Sequence, residues 1–520
     1  MADTIKELLF EQAARHGDRT YLFWEDQEIS FRQMLDTARR VGSSFAALGL
    51  AKNDKVCIWA TNRPEYVYAL YGSAFAGTVL TPINTQFKTE EAQYIVQNSE
   101  AKVLITEPAF LPMIEKMRPS CPDLKEVVVL DQAPTGTVPF ASLYEPKEII
   151  DRPIGPEDVA GIIYTSGTTG YPKGVLLTHA NYLFNAWEIV LAARMTEADR
   201  FMCILPLFHV NGQLVTVLSP LFAGGAVILT KGFSPKDFLA KLAKYQATAF
   251  SGVPTVYAIL NTLPDAESYD LSRLRFCICG AAPMPVEVFE TFEKRYKAFI
   301  LEGYGLSEGT CASSINPLDG KRKIGSIGLP LEGQEIKIAD PADNEVPAGQ
   351  VGEILVRGKN VMKGYYRNPE ATAATLKGGW LHTGDLARVE EDGSCHIVDR
   401  AKDMIVTGGL NVYPAEVEHV LCAHPKVLQV AVVGVPHRIW GEMVLAVVVP
   451  RPGETLEAQE LAAYCRRSLA DYKVPKSFVW ADSLPMTTSG KVQKRVLRER
   501  LAASATGAGQ GEGSVRDSAR

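Results

Sequence analysis

Tyr164-Thr165-Ser166-Gly167-Thr168-Thr169-Gly170-Tyr171-Pro172-Lys173-Gly174 is the stretch on which the reading of this chain turns. The apolar run before it, Val159-Ala160-Gly161-Ile162-Ile163, predicts a buried strand. Val175-Leu176-Leu177-Thr178-His179-Ala180-Asn181 after it reads as the approach to a helix. Between the two, Gly167, Gly170 and Gly174 permit backbone shapes that a Cβ forbids. The hydroxyls of Thr165, Ser166, Thr168 and Thr169 and a run of backbone N–H groups can then face one anion, and Lys173 adds a positive charge. Such a loop is equipped to hold a polyphosphate.

The spacing is Gly167-x2-Gly170-x2-Lys173 with a glycine after the lysine. The P-loop of the NTPases requires Gly-x4-Gly-Lys-Ser/Thr, so that reading fails, as does the Rossmann reading. Gly, Ser and Thr are also ordinary residues of surface turns. The polyphosphate reading therefore leans on stretches further along the chain.

Phe201-Met202-Cys203-Ile204-Leu205-Pro206-Leu207-Phe208-His209-Val210-Asn211-Gly212-Gln213 places His209 after an apolar strand. Glu302-Gly303-Tyr304-Gly305-Leu306-Ser307-Glu308 brings together a flat aromatic ring, a hydroxyl and a carboxylate. Trp380-Leu381-His382-Thr383-Gly384-Asp385 ends in a carboxylate able to accept from both hydroxyls of a diol. Asp399-Arg400-Ala401-Lys402-Asp403-Met404-Ile405 is followed closely by Thr407-Gly408-Gly409-Leu410-Asn411. Pro485-Met486-Thr487-Thr488-Ser489-Gly490-Lys491-Val492-Gln493-Lys494 carries Lys491 as a cation on a flexible stem.

With these motifs in this order, the chain resembles the adenylate-forming superfamily of acyl- and aryl-CoA synthetases, peptide-synthetase adenylation domains and beetle luciferases. The resemblance runs from about the first helix to Lys494. It implies that Thr165, Ser166, Gly167, Thr168, Thr169, Gly170 and Lys173 hold the phosphates of ATP. Gly280, Ala281 and Ala282, with Pro283, would line the purine side and the acyl channel, followed by Glu302, Gly303, Tyr304 and Gly305. Tyr304 would stack on adenine and Ser307 would bond phosphate. Glu308, with Thr169, would ligate Mg²⁺ through hard oxygens. Asp385 and Arg400 would hold the ribose beside Ile397.

The resemblance further implies a hinge at Lys402 and a tunnel for coenzyme A shaped by Gly408, Gly409 and Leu410. The implied catalytic set is Lys491, Thr169, Glu308 and His209. The implied acyl pocket is His209, Val210, Gln213, Val253, Gly280 and Gly305, whose apolar and small side chains suit a fatty or otherwise apolar acid. Peptide-synthetase domains carry an Asp near Phe208-His209 to hold an α-amine; this pair offers no fixed anion, which argues against an α-amino acid. His437 stands where many relatives have Asp and leaves coenzyme A contacts there open. The implied reaction has two halves: a carboxylate attacks ATP to give acyl-AMP and pyrophosphate, then a thiol takes the acyl group as the small domain swings about Lys402.

At 520 residues the chain is too long for one core. The expected fold class is α/β: a large N-terminal domain of layered α/β sheets with a small β-rich subdomain, spanning residues 1–399. A smaller mobile α+β domain over 400–503 and a disordered tail over 504–520 follow, the tail being rich in glycine and poor in bulky apolar side chains. Composition, at 46% hydrophobic and 22% charged, is that of a soluble globular protein. A net charge of −6 gives no push toward nucleic acid or an anionic membrane.

The N-terminus lacks a charged-then-apolar signal pattern, and the last three residues are not the Ser-Lys-Leu peroxisomal address. The apolar region 214–229 is broken by Pro220, Gly224 and Gly225, so no integral membrane segment is expected. The nine cysteines are scattered; the close pair Cys277 and Cys279 falls on one face of a strand, which fits buried core better than metal. A cytoplasmic protein, acting on a small carboxylic acid and forming a homodimer, is the expectation.

In chain order, residues 3–17 and the stretch from Ser30 through Leu48 read as helices, the second opened by a Ser30/Gln33 capping box. Strands are expected at 54–59, 77–82, 103–105, 127–130, 227–229 and 249–250, and beyond Gln334 at 335–339, 352–357, 396–398, 430–433 and 444–449. An aryl- or cyclic-acid CoA ligase is an alternative. So is a stand-alone adenylation enzyme that loads a carrier protein. A non-enzymatic scaffold is disfavoured, because Lys173, Glu308, Asp385, Arg400 and Lys491 are all present. A luciferase-like oxygenase is the remaining alternative.

Overall fold

The computed structural model describes residues 2–145, 147–165, 171–282, 284–320, 322–486 and 492–507, the last six of these by backbone alone. The chain divides into two compact units. The first comprises Met1–Lys337, Leu355–Thr383 and Glu391–Cys395; the second comprises Ile338–Ile354, Gly384–Glu390 and His396–Arg520.

Two large sheets build the first unit. One has eight strands, ordered Gly364–Tyr365, Lys173–Thr178, Val159–Thr165, Val79–Pro82, Lys55–Trp59, Ala101–Thr106, Glu126–Val129 and Val138–Pro139. The other has nine: Leu329–Pro330, Ser314–Ile315, Phe299–Tyr304, Phe276–Cys279, Ala249–Gly252, Arg200–Cys203, Ala226–Leu229, Thr20–Trp24 and Gln27–Ser30. The central strands of both run parallel and antiparallel pairs sit at the edges. Parallel strands need crossover helices on their faces, so both faces of each sheet are buried.

The alternation of side chains along these strands sorts the unit into layers. Val56 and Ile58 join Phe201 and Cys203 in a core shared by the two sheets. Their neighbours Cys57 and Trp59 point into a second core, and Met202 and Ile204 into a third. The middle layer holds helices Phe31–Ala47, Pro64–Ala76 and His179–Ala192. Pro64–Ala76 is buried on nearly every side, as a helix between two sheets must be. It starts with proline at its first turn and ends on left-handed Gly77 (φ 67°). The Ser30/Gln33 capping box is present, and the first helix runs Ile5–His16 with a second box at Thr4/Glu7. Cys277 and Cys279 lie together in the third core.

A four-stranded sheet follows in the order Gln334–Ala339, Val351–Gly358, Leu381–Val389, Cys395–Arg400. In the second unit Leu410–Val412, Ile405–Thr407, Gly441–Pro450 and Val427–His437 form a sheet in that order, with Ser477–Trp480 beside Gly441–Pro450. Val430, Val432, Val444 and Val448 pack under helices Pro414–Cys422 and Ala458–Cys465. The alternate residues Ala431, Val433, Leu445 and Val447 meet Leu497 of the last helix, Lys494–Gly507.

Two expectations change. The run after Pro172 is itself a strand, Lys173–Thr178, and the helix starts only at His179. The last helix continues to Gly507, into the stretch expected to be disordered; residues 508–520 of that stretch lie outside the described residues. Residues 214–229 break into short helical turns and the strand Ala226–Leu229. Among the described residues no helix is long and apolar enough to cross a membrane.

Candidate active site

Strands Val159–Thr165 and Lys173–Thr178 form an antiparallel hairpin whose last pair is Thr165 and Lys173. The hairpin therefore presents both residues at the base of the glycine-rich loop. Ser166, Gly167, Thr168, Thr169 and Gly170 lie outside the described residues. The stem is tightly held. Tyr171 stacks on Tyr94 with ring centroids 4.7 Å apart. The Tyr164 hydroxyl donates to Asn98 at 2.6 Å. A Cβ on Gly174 would fall 2.8 Å from a methyl of Ile162 and 3.1 Å from the Tyr164 ring, so glycine is required for that packing.

A second group of predicted residues lies just beyond the carboxyl ends of adjacent parallel strands. Val253 follows Ala249–Gly252, Gly280 follows Phe276–Cys279, and Gly305 follows Phe299–Tyr304. The register pairs Gly252 with Cys279 and Cys279 with Glu302, so Val253 and Gly280 stand level with Gly303, and Gly305 lies two residues further along its strand's exit. His209 and Val210 come after the neighbouring strand Arg200–Cys203, and Asn211 is tied back by a 3.1 Å contact to Ser251. Crevices outside the carboxyl ends of parallel strands are where α/β sheets bind ligands. His209 is half-buried, its ring 4.6 Å from that of Phe208.

Gln213 is different. Its amide donates to the Leu207 carbonyl at 2.7 Å and accepts from the Tyr182 hydroxyl at 3.3 Å, and the residue is buried. Its polar atoms brace the Leu207–Val210 turn from within the core.

Glu302 is buried, which raises its pKa, and it accepts the Gly325 N–H at 2.9 Å. Gly303 and Tyr304 pair with Ile315 and Ser314. A Cβ at Gly305 would overlap the Cys311 carbonyl oxygen, so only glycine fits the turn that separates Tyr304 from Ser307. Gly280 packs against Gly303 in the same way, its Cβ position 3.2 Å from that carbonyl. Ala281 takes φ 71° and Ala281 and Ala282 are exposed; a left-handed alanine is strained, a feature that clusters at functional sites. Pro283 lies outside the described residues.

Glu308 sits in a single 3-10 turn, Ser307–Gly309. Its Oε1 accepts the Tyr365 hydroxyl at 2.9 Å, and Oε2 accepts no hydrogen bond among the described residues. The Lys173 ammonium lies 4.9 Å from the centre of the Tyr365 ring. Burial first, and then the Glu308 charge, push the Tyr365 phenol far above its ordinary pKa. Sequence reasoning missed Tyr365. Its only local signal is the aromatic pair after a glycine in Gly364-Tyr365-Tyr366.

In the second unit Arg400 Nε donates to Asp385 Oδ1 at 2.9 Å. Asp385 is buried, while Ile397 on the adjacent strand is partly exposed. Lys402 lies in the turn after Cys395–Arg400, beside an Asp403–Arg498 ion pair of 2.9 Å; local desolvation and then Arg400 lower its pKa. Gly408 and Gly409 form the two-residue turn between Thr407 and Leu410, with φ 59° and 79°. Positive φ at both positions is the hairpin turn that glycine favours. Leu410, Val406, Ile439 and Trp440 are exposed apolar side chains in this unit. Lys491 lies outside the described residues. The stem around it is closed by a Met486–Val492 bridge, by Gln493 donating to Pro485 and Met486, and by Lys494 pairing with Glu418 at 2.8 Å.

The residues present suit Mg²⁺: Glu308 offers an unengaged hard carboxylate oxygen on an otherwise fixed side chain, the donor type that ion selects.

The family model described as AMP-binding enzyme matches residues 9–366, and that of the AMP-binding enzyme C-terminal domain matches 416–491. A feruloyl-CoA synthase of Amycolatopsis sp is 38% identical over 492 residues, covering 94% of this chain and 96% of the relative. A long-chain-fatty-acid–CoA ligase of Bacillus subtilis (strain 168) is 36% identical over 529 residues, covering 95% and 94%. The crystal structure of the anthranilate CoA ligase AuaEII in complex with anthranoyl-AMP superimposes with a TM-score of 0.89 at 30% identity, covering 97% of this chain and 98% of that one. The chain thus belongs to the AMP-binding enzyme family, as an AMP-forming acyl-CoA ligase that works through an acyl-AMP.

Proposed function

We propose that the acid is apolar, a fatty acid in the first instance, and that coenzyme A is the acceptor. The observation carrying this reading is the composition of the strand-end cluster: Val210, Val253, Gly280 and Gly305 bring only apolar or absent side chains, with His209 as the polar member. The Bacillus subtilis fatty-acid ligase supports it. An aryl acid is the second reading, favoured by the feruloyl-CoA synthase. A pyrophosphate-release screen over aliphatic chain lengths and aryl acids, with coenzyme A present, separates the two. Turnover confined to charged or amino acids would overturn both.

In the first half-reaction a carboxylate oxygen attacks the α-phosphorus of ATP and the bond to pyrophosphate breaks. Anions must approach one another, so the protein's contribution is positional and electrostatic. Thr165 and Lys173, with residues 166–170 between them, hold the β- and γ-phosphates. Glu308 and Thr169 hold Mg²⁺, which offsets phosphate charge when bound. Tyr304 faces adenine, Ser307 reaches phosphate, and Asp385 with Arg400 reads the ribose. Lys491 neutralises charge developing around the α-phosphate.

In the second half-reaction the thiol sulfur bonds to the acyl carbon, AMP leaves, and the thiol proton goes to solvent. The residues after Lys402 rotate as a domain, withdrawing Lys491 and bringing in Gly408, Gly409 and Leu410. The exposed apolar side chains around that glycine turn support its use as the coenzyme A tunnel.

A further inference from the structure

Tyr365 joins two residues of the nucleotide site that are far apart in sequence. Its hydroxyl donates to Glu308 Oε1 at 2.9 Å, its ring centre is 4.9 Å from the Lys173 ammonium, and the nearby Thr375 side chain favours the ionised phenol, against the larger effects of burial and Glu308. The residue is buried and its backbone is fixed on both sides. Gly364 and Tyr365 pair with Leu176 and Val175 of the loop's own hairpin. The Tyr365 N–H donates to Thr372 Oγ1 at 2.8 Å, and the Tyr366 N–H to the Gly174 carbonyl at 2.7 Å. The Tyr366 hydroxyl is anchored on Glu100 at 2.5 Å.

Three residues upstream, the Met362 N–H donates to the Glu308 carbonyl at 2.8 Å. The 362–366 segment therefore grips Glu308 by both backbone and carboxylate while forming an edge strand of the phosphate-loop hairpin. A side chain needed only for packing would not require a hydroxyl aimed at a carboxylate; phenylalanine would fill the same space.

We propose that Tyr365 is a positioning residue for both groups: its hydroxyl fixes the Glu308 carboxylate by Oε1 and leaves Oε2 for the metal, and its ring seats Lys173 at the base of the phosphate loop. This rests on the reading of Glu308 as the Mg²⁺ ligand and of Lys173 as a phosphate contact. An outer hydrogen bond of this kind is worth about 10- to 100-fold in metal affinity or activity.

The test is ATP binding by calorimetry, with and without Mg²⁺ and without acid, on the wild type, Tyr365→Phe, Tyr365→Leu, Thr375→Val and Glu308→Gln, alongside thermal melts and steady-state kinetics. In Tyr365→Phe the enhancement of ATP binding by Mg²⁺ should fall about 10-fold or more. ATP binding without metal and KM for the acid should hold. Tyr365→Leu should in addition weaken metal-free ATP binding by about 2- to 30-fold through loss of the cation–π contact. Thr375→Val should shift the Mg²⁺ dependence in the same direction by less.

A folded Tyr365→Phe with wild-type Mg²⁺ dependence, beside a Glu308→Gln that loses it, would overturn the proposal and leave the metal reading standing. Wild-type Mg²⁺ dependence in Glu308→Gln would instead remove the metal reading on which the proposal rests. Should either Tyr365 variant melt early, Thr375→Val decides: unchanged Mg²⁺ dependence there overturns the proposal.

Discussion

Arg400 reaches the buried carboxylate of Asp385 from the neighbouring strand, Nε to Oδ1 at 2.9 Å, while about half of the arginine side chain stays in solvent. The pair sets a carboxylate acceptor beside a half-exposed guanidinium donor, the two functions that a ligand with adjacent hydroxyls engages.

Replacing Arg400 with alanine should weaken AMP binding by roughly tenfold to a hundredfold, the usual worth of one hydrogen bond to a charged group. Titration of the variant with AMP in a calorimeter checks this. Affinity equal to wild type would mean that Arg400 serves only to neutralise Asp385.

Lys491→Ala should lower ATP–pyrophosphate exchange by about 100- to 1,000-fold, the scale for removing one preorganised positive partner. It should leave thioester formation from preformed acyl-AMP intact. Lys402→Pro should do the reverse, by stiffening the turn after Cys395–Arg400. Measuring both half-reactions on both variants tests the pair together; parallel loss of the two steps in either variant counts against separate roles.

Gly305→Ala should cost activity through backbone displacement, since its Cβ would overlap the Cys311 carbonyl. Overpacking of this kind costs about 1–3 kcal/mol or more. The expected result is a lowered melting temperature together with loss of adenylation, whereas Gly393→Ala, whose φ is 81° but whose Cβ meets nothing within 4 Å, should lower stability with adenylation retained.

Glu188 gives a pH prediction. It is buried beside Glu332, and its Oε2 has no partner among the described residues. Burial, then Glu332, raise its pKa from 4.5 to about 7. The folded state thus holds a proton that the unfolded chain has released between those values. Its contribution to stability is full below pH 4.5 and is lost as pH rises to about 7. Glu188→Gln should flatten this segment of a melting-temperature profile and melt higher than wild type above pH 7; an unchanged slope would show that Glu188 is not responsible.

Much of the fold was legible because its signals are local. Alternating valines and isoleucines marked strands, and Ser30 with Gln33 marked a helix start that the structure reproduces. The Lys173–Thr178 strand was missed because a short apolar run reads equally as strand or helix approach until its partner, Val159–Thr165, is known. Gln213 was grouped with the pocket wall, since nothing near it in sequence shows that Leu207 and Tyr182 occupy its amide. Tyr365 was invisible for the same reason. Its link to Glu308 spans 57 residues and exists only because the two-residue strand Gly364–Tyr365 docks on the hairpin.

The adjacent strand exits bear on how such an enzyme could change its diet. Gly305 cannot acquire a side chain without colliding with Cys311, and Gly280 has little room before Gly303. Val253 precedes the helix Pro254–Thr262 and already carries a side chain, half-buried against the third core, whose size can change without a new Cβ. A variant selected for longer, shorter or bulkier acids should therefore record its history at Val253 and around His209, while both glycines stay silent.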